Sequence, residues 1–450
     1  MKRNTIYSLL AFLLLICVVH DVTAQGLSKY ATKIDGLNAD KVAVYIEDLR
    51  SGDVVLDING EEPLVPASIT KVFSAATAFQ KCDINSRYKT EIIADGPISN
   101  GTLEGNLIVM ACGDPTIESE YFPNKKGVAD SIATAVMKKG IREIQGRIIV
   151  NEPEWLNEPV PSGWVSEDVN WPYGAGHHAL NYADNRFNLS YSGSGNYRVV
   201  PETPGVTFKQ ASGKGSAWRA RDSKVYNVGA KSVNVTLANP DPASSLIAAI
   251  SKKLKAQDIT VNNAEIKSSG KKTVIYTHYS PTLYDIMKSL ILRSDNQMAE
   301  AILRHAWQGK SRSEAAKLEL KHWADAGVQT SDNFLEDGSG LSRSDRITAY
   351  SMADLLVWML DNDKNFVKFL NMLPKAGKTG TLRSFLKGTS LEGKLWAKTG
   401  SMSGVQCYAG YAVDDLGMPT HVVVVMVNGF KEDRSKVRSR LEKMLIEHIK

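Results

Sequence analysis

The sequence predicts an α/β domain split by a long β-rich insertion. Three observations carry this. Alternating apolar and polar residues read as strands near both ends of the 450-residue chain. Helical periodicity dominates from about residue 280 until the last strands. Between about residues 90 and 276 short β-rich runs alternate with turns rich in Gly, Ser, Asn and Pro.

Each element follows from local pattern. "KVAVYIEDLRSGDVVLDIN" alternates on both sides of Arg50-Ser51-Gly52, a hairpin signal. "PASITKVFSAATAFQKC" places Pro66 near a helix start with apolar residues at helical spacing behind it. "GNLIVM", "GRIIV" and "KSVNVTLA" are strands of the insertion, and "PDPASSLIAAISKKLKAQ" is expected to be one helix in it. "PTLYDIMKSLILRSDNQMAEAILRHAWQGK" reads as two helices broken at Ser294-Asp295-Asn296. Two more helices follow in "SRSEAAKLELKHWADAG" and "ITAYSMADLLVWMLDN". "GKLWAK", "QCYAGYAV" and "THVVVVMVNGF" are the closing strands, before a basic amphipathic helix, "EDRSKVRSRLEKMLIEHIK".

Bulk properties exclude several classes. Hydrophobic content of 43% and charged content of 23% are ordinary for a globular protein. The net charge of +5 is mild, and no basic tract points to nucleic acid. Lys2 and Arg3, an apolar run from Ile6 to Val19 and the small-residue site Val22-Thr23-Ala24 form a secretory signal over residues 1–24. Ile16 is too bulky before Cys17 for a good lipid-attachment site, so free export to the periplasm or cell envelope is expected. No later stretch is apolar enough for a membrane helix. Cys82, Cys112 and Cys407 suggest neither an essential disulfide nor a metal site, and no cofactor motif occurs. His177-His178 reads as a surface or loop pair, because adjacent side chains do not converge on one metal.

Two tripeptides occur twice. Ser-Asp-Asn starts at Ser294 and at Ser331, and Lys-Thr-Gly at Lys378 and at Lys398. Ser-x-x-Lys occurs five times, at Ser68/Lys71, Ser86/Lys89, Ser268/Lys271, Ser269/Lys272 and Ser384/Lys387. Local context separates the copies. A nucleophilic serine belongs at a helix N-terminus, where free N–H groups favour a developing anion. A lysine one turn on then faces it, and in apolar surroundings that amine loses its proton and serves as base. Only Ser68/Lys71 opens a buried-looking helix. Ser294 and Asn296 break two periodic helices and project from a rigid tip, whereas Ser331 precedes turn-rich "FLEDGSGLS". The second Lys-Thr-Gly sits in "KLWAKTGSMSGVQCYAGYAV", strand, turn and strand, with Gly400 permitting close backbone approach. The first follows Pro374 and Gly377 without a strand. Ser68 is then the nucleophile, Lys71 its base, Ser294 a proton relay and Asn296 a substrate-amide ligand. Lys398 and Thr399 hold a substrate carboxylate, and the N–H groups of Ser68 and Ser401 form an oxyanion hole.

These boxes, with "GDPT" at Gly113, "DGSGLSR" and "GTL" at Gly380, resemble those of the low-molecular-mass class C penicillin-binding proteins, the D-alanyl-D-alanine carboxypeptidase/endopeptidase family S13. The likeness covers nearly all the mature chain. It implies a penicillin-binding/β-lactamase-like transpeptidase domain, an antiparallel sheet flanked by helices, made of residues 25–92 and 277–450. It also implies that the β-rich insertion, residues 93–276, holds two nested domains. The implied activity is serine-type hydrolysis of D-Ala–D-Ala and D-Ala–diaminopimelate bonds in peptidoglycan stem peptides, with β-lactams as inhibitors. Asp168, with Glu167 beside it, and Met402 match positions near a diaminopimelate side chain, and Arg343 is a further candidate. A homodimer is among the assemblies the resemblance allows. A β-lactamase is the rival enzyme, but its Glu-x-x-Leu-Asn motif would need glutamate where Pro153 stands in "EPEWLN". A non-catalytic cell-wall sensor would have no need of all the boxes.

Overall fold

The computed structural model describes residues 39–450, apart from 193–195, 213–215, 230–231 and 269. The expected signal segment, 1–24, lies outside the described residues. The chain divides into two compact units. One comprises the chain up to Gln80, Ile291–Ser294 and Ala316–Lys450; the other comprises Lys81–Leu290 and Asp295–Ala315.

The first unit is built on a five-stranded antiparallel sheet. β1 (Val42–Asp48) and β2 (Asp53–Ile58) form the expected hairpin, with Gly52 at φ 75° and its N–H bonded to Asp48 O at 2.8 Å. β3 (Leu395–Met402), β4 (Val405–Val413) and β5 (Pro419–Asn428) join them in the order β3-β4-β5-β1-β2. The pairing of β1 with β5, Val42 opposite Val427, closes the two ends of the chain into one sheet. β5 is buried on both faces, which is why it reads as an unbroken run of Val and Met.

Helices cover both faces. The helices are α1 (Thr70–Lys81), α2 (Leu283–Arg293), α3 (Asn296–Ala306), α4 (Ala349–Asn362) and α5 (Arg434–His448); α4 and α5 belong to this unit, as does α1 up to Gln80, whereas α2 lies mostly and α3 wholly in the second unit. Val437, Leu441, Met444 and Leu445 of α5 pack with Val423, Val425 and Val427 of β5. On the opposite face Tyr411 Oη of β4 donates to Leu356 O of α4 at 2.7 Å. α1 is buried from Thr70 through Phe79, so its polar residues need internal partners. Trp323 Nε1 donates to Thr77 Oγ1 at 2.8 Å, and Ser74 Oγ donates to Gly338 O at 2.9 Å.

Among the described residues the second unit has two apolar cores. Strands Lys89–Asp95, Asn106–Met110, Ile148–Asn151 and Lys272–Tyr279 form one sheet. Its core also takes in Ile132, Leu246 and Ile250. A smaller core of Phe187, Leu189, Tyr226, Val228 and Leu237 gathers the strands between residues 186 and 238. Helix Pro242–Lys255 forms as expected, capped by the Asp241 side chain accepting from Ser244 N–H. Val128–Lys138 is a further helix, which the sequence reading did not name. Its signal is present, since Val128, Ala129, Ile132, Ala133 and Val136 fall on one face.

Other expectations are corrected here. His177-His178 does sit in a loop but not at the surface: His177 is 1% exposed, with Nε2 2.7 Å from Gly113 O. Burial lowers His178 to about 4, so both rings stay neutral at pH 7. Cys82, Cys112 and Cys407 are free thiols. Among the described residues no helix is long and apolar enough to cross a membrane.

Candidate active site

Ser68 lies in a single 3₁₀ turn, Ala67–Ile69, that runs directly into α1. Ala67 just before it has φ 47°, the left-handed region that L-residues avoid. Such strain at a reacting position persists only where the surroundings impose it. The loop Asp337–Ser342 imposes it. Gly340, at φ 76°, lies so close that a Cβ there would meet Ala67 O at 1.9 Å. The Asp337 carboxylate holds this loop by accepting from the N–H groups of Ser339, Gly340 and Ser342.

Lys71, the second residue of α1, is fully buried. Its Nζ donates to Ser68 Oγ at 2.8 Å and to Ser339 O at 2.5 Å. One turn of helix sets the first contact, and the loop carbonyl aims the amine. Ser339 is a functional contact that residue-level reading missed, although "DGSGLSR" marked the segment.

Lys398 is also fully buried, in β3. Its Nζ donates to Ser294 Oγ at 2.8 Å and to Thr399 O at 2.6 Å. Burial, reinforced by the Lys71 charge, holds this amine well below the ordinary lysine range. Ser294 closes α2 at φ 64°, so its hydroxyl projects from a strained tip.

β3 is the edge strand of the five-stranded sheet, and its outer side pairs with residues 374–376 only along Leu395–Ala397. Ala397 N–H points away from β4 and donates to Pro374 O at 2.9 Å. The period of two puts the N–H groups of Thr399 and Ser401 on that same edge. Gly400 allows β3 to approach the Ser68 turn, since a Cβ there would lie 2.4 Å from Pro66 O.

Ser68, Ser294, Thr399 and Ser401 line one cleft of about 270 Å³. Thr381, from "GTL", also lines it, and Thr399 Oγ1 donates to Thr381 Oγ1 at 2.7 Å. Arg434 and Arg438 of α5 line it as well. Nothing in the sequence pattern singled out those two arginines.

The remaining candidates are placed as follows. In the second unit Asn296 is the first residue of α3, whose N-cap Asp295 accepts from Met298 N–H at 2.8 Å. Asn296 Nδ2 donates to Tyr173 O at 2.8 Å, and Tyr173 Oη donates to Asp168 Oδ1 at 2.9 Å. Tyr173 therefore connects these two candidates, while Glu167 is exposed. Met402 ends β3 in the first unit. Arg343 is exposed and, among the described residues, makes no ion pair.

The duplicate copies sit elsewhere. Lys378 is an exposed side chain paired with Glu392 at 2.5 Å. Ser331 lies in a turn, its hydroxyl on Asp332. Ser268 Oγ donates to Asp95, and Ser384 Oγ accepts from Arg438. Ser86 lies in a loop, and Ser269 is outside the described residues. Among the described residues no group of three or more His, Cys, Asp or Glu side chains converges to hold a metal ion.

Known proteins share this architecture. A D-alanyl-D-alanine carboxypeptidase DacB from Haemophilus influenzae is 25% identical over 427 residues, 88% of this chain and 86% of that one. A D-alanyl-D-alanine carboxypeptidase from Actinomadura sp. is 26% identical over 440 residues, 87% of this chain and 80% of that one. The crystal structure of penicillin binding protein 4 from Haemophilus influenzae superposes with a TM-score of 0.78 at 23% identity, covering 93% of this chain and 99% of that one. The fold is therefore of the penicillin-binding type. The sequence profile of one family matches residues 23–447, and the chain belongs to that family, the D-Ala-D-Ala carboxypeptidase 3 (S13) family.

Proposed function

We propose that this protein is an exported serine-type D-Ala-D-Ala carboxypeptidase that also cleaves D-Ala–diaminopimelate crosslinks, through an acyl-enzyme on Ser68. The observation that carries this reading is the Lys71 Nζ to Ser68 Oγ contact of 2.8 Å at a cleft shared with Ser294 and Thr399. Family membership supports the substrate class.

The geometry supports the following sequence. Lys71 takes the Ser68 proton as Oγ attacks the D-alanyl carbonyl. The tetrahedral oxyanion accepts from Ser68 N–H and Ser401 N–H, and each such donor lowers the barrier by about 3 kcal/mol. The intermediate collapses, the C–N bond breaks, and Ser294 passes a proton to the leaving amine. Water then adds to the acyl-enzyme, returning a proton to Ser68 and releasing the shortened peptide. Thr399 and Gly400 dock the extended substrate along the β3 edge. Asn296 binds the substrate amide and Asp168 the free amine of a diaminopimelate side chain, with Met402 a further substrate contact. A β-lactam acylates the same Ser68.

Labelled penicillin tests the assignment. The protein takes up one label, Ser68→Ala abolishes it, and Ser86→Ala and Ser384→Ala keep it. Labelling that survives Ser68→Ala would end this reading. Digestion of purified cell wall, read by mass spectrometry for released D-Ala and lost crosslinked dimers, separates the two activities.

A further inference from the structure

We infer that Arg434 and Arg438, one turn apart on α5, form the pocket that receives the α-carboxylate of the departing residue. This rests on the reading of Ser68 as nucleophile. The amine released on cleavage carries a carboxylate on the adjacent carbon. It is either a C-terminal D-alanine or the diamino acid of a crosslink, and the recognition chemistry is the same.

That anion needs positive partners in the cleft beyond Lys398. Its side chain is fully buried, its Nζ is engaged by Ser294 Oγ and Thr399 O, and it does not line the cleft. Among the described residues, Arg434 and Arg438 are the cationic side chains that do.

Both guanidinium groups are held by uncharged partners. Arg434 Nη1 donates to Val405 O at 2.8 Å and Gln406 Oε1 at 3.0 Å, and Nη2 donates to Met402 O at 2.7 Å. Arg438 Nη2 donates to Ser384 Oγ at 3.1 Å, and its guanidinium lies 5.6 Å from the Phe385 ring centroid. Nearby acids are engaged elsewhere. Asp433 caps α5 through Ser435 N–H, Glu432 pairs with Arg440 and Lys436, and Glu442 accepts from Leu386 N–H. Neither arginine makes an ion pair among the described residues. Burial and the Arg438 charge both lower the Arg434 pKa, a cost that a bound anion relieves. A planar guanidinium fork matches a carboxylate in both charge and geometry.

The test compares kcat and KM on an N-acyl peptide ending in D-Ala-D-Ala carboxylate, on its C-terminal amide, and on a purified crosslinked muropeptide dimer. Arg438 is the site of choice, because Arg434 also holds the β3–β4 turn. The protein should prefer the carboxylate. In Arg438→Met the carboxylate-over-amide ratio should fall about 10-fold to 100-fold, mostly through KM. Arg438→Lys should keep much of the ratio, and Arg438→Glu should fall below the Met variant. A parallel loss on the dimer shows that both leaving groups use the pocket; a loss on the monomer alone restricts it to terminal D-alanine. An unchanged ratio in both Arg438→Met and Arg438→Glu would overturn the inference. Failure of the Ser68 reading shows differently, as absence of any Ser68 acyl adduct in the unmodified protein.

Discussion

Lys398 Nζ lies 2.8 Å from Ser294 Oγ, a hydrogen bond that spans 104 residues of chain. It ties the edge strand β3 to the tip of α2 and brings two of the sequence boxes together. Lys71 reaches the carbonyl of Ser339 over 268 residues in the same unit. The two amines are thus held by parts of the chain that have no local reason to meet.

The duplicated Lys-Thr-Gly gives the sharpest mutational contrast. Lys398→Ala removes the buried amine from Ser294 and should lower kcat/KM on D-Ala-D-Ala peptides by about a hundredfold or more. Lys378→Ala breaks an exposed pair with Glu392, worth about 0–1 kcal/mol, and should leave activity within about twofold. Steady-state kinetics on the two purified variants checks both.

Ser294 pairs strain with function. Its φ of 64° costs roughly 1–2 kcal/mol in a non-glycine residue. Ser294→Gly should be more stable than Ser294→Ala by about 1 kcal/mol, and both should lower activity about a hundredfold, because both also take the hydroxyl from buried Lys398. Thermal melts beside peptidase assays separate these outcomes.

Gly400 should tolerate no side chain. A Cβ there would meet Pro66 O at 2.4 Å and Ile69 N at 3.2 Å, pushing β3 off the Ser68 turn. Gly400→Ala should slow penicillin acylation at least about tenfold and cost about 1–3 kcal/mol by overpacking. Stopped-flow acylation and denaturant titration report the two effects.

Acid should weaken the second unit through its buried histidines. His178 is lowered to about 4 by burial, against about 6.5 when unfolded. Its contribution is full above pH 6.5 and is lost as pH falls toward 4, reaching about 2 kcal/mol by pH 5. Asp114 has the opposite sign. Burial pushes its carboxyl up to about 6, so its contribution is full below pH 3.8 and is lost as pH rises through 6. Urea midpoints between pH 7 and pH 5 should therefore fall less steeply in His178→Gln and more steeply in Asp114→Asn.

Much of the fold was legible because its signals are local. The hairpin at Gly52, α1 behind Pro66, the break at Ser294 and the apolar run of β5 each follow from turn chemistry or periodicity within a few residues. The second helix of the insertion went unread among short β-rich runs, although its apolar face repeats cleanly. The loop position of His177-His178 was legible, but the burial of His177 was not, because it depends on what packs over the loop, which no local pattern records.

The sequence by itself determined the residue types at the boxes and the preferences of the segments carrying them. It also made one copy of each box fit a helix start, a helix break or a strand edge. Only tertiary structure decided that Ser339 O would aim Lys71, that Thr381 would meet Thr399, and that Arg434 and Arg438 would line the cleft. The physical reason is separation along the chain. Local preferences act over a turn or a strand pair, whereas these contacts arise when burying the sheet faces brings distant segments together.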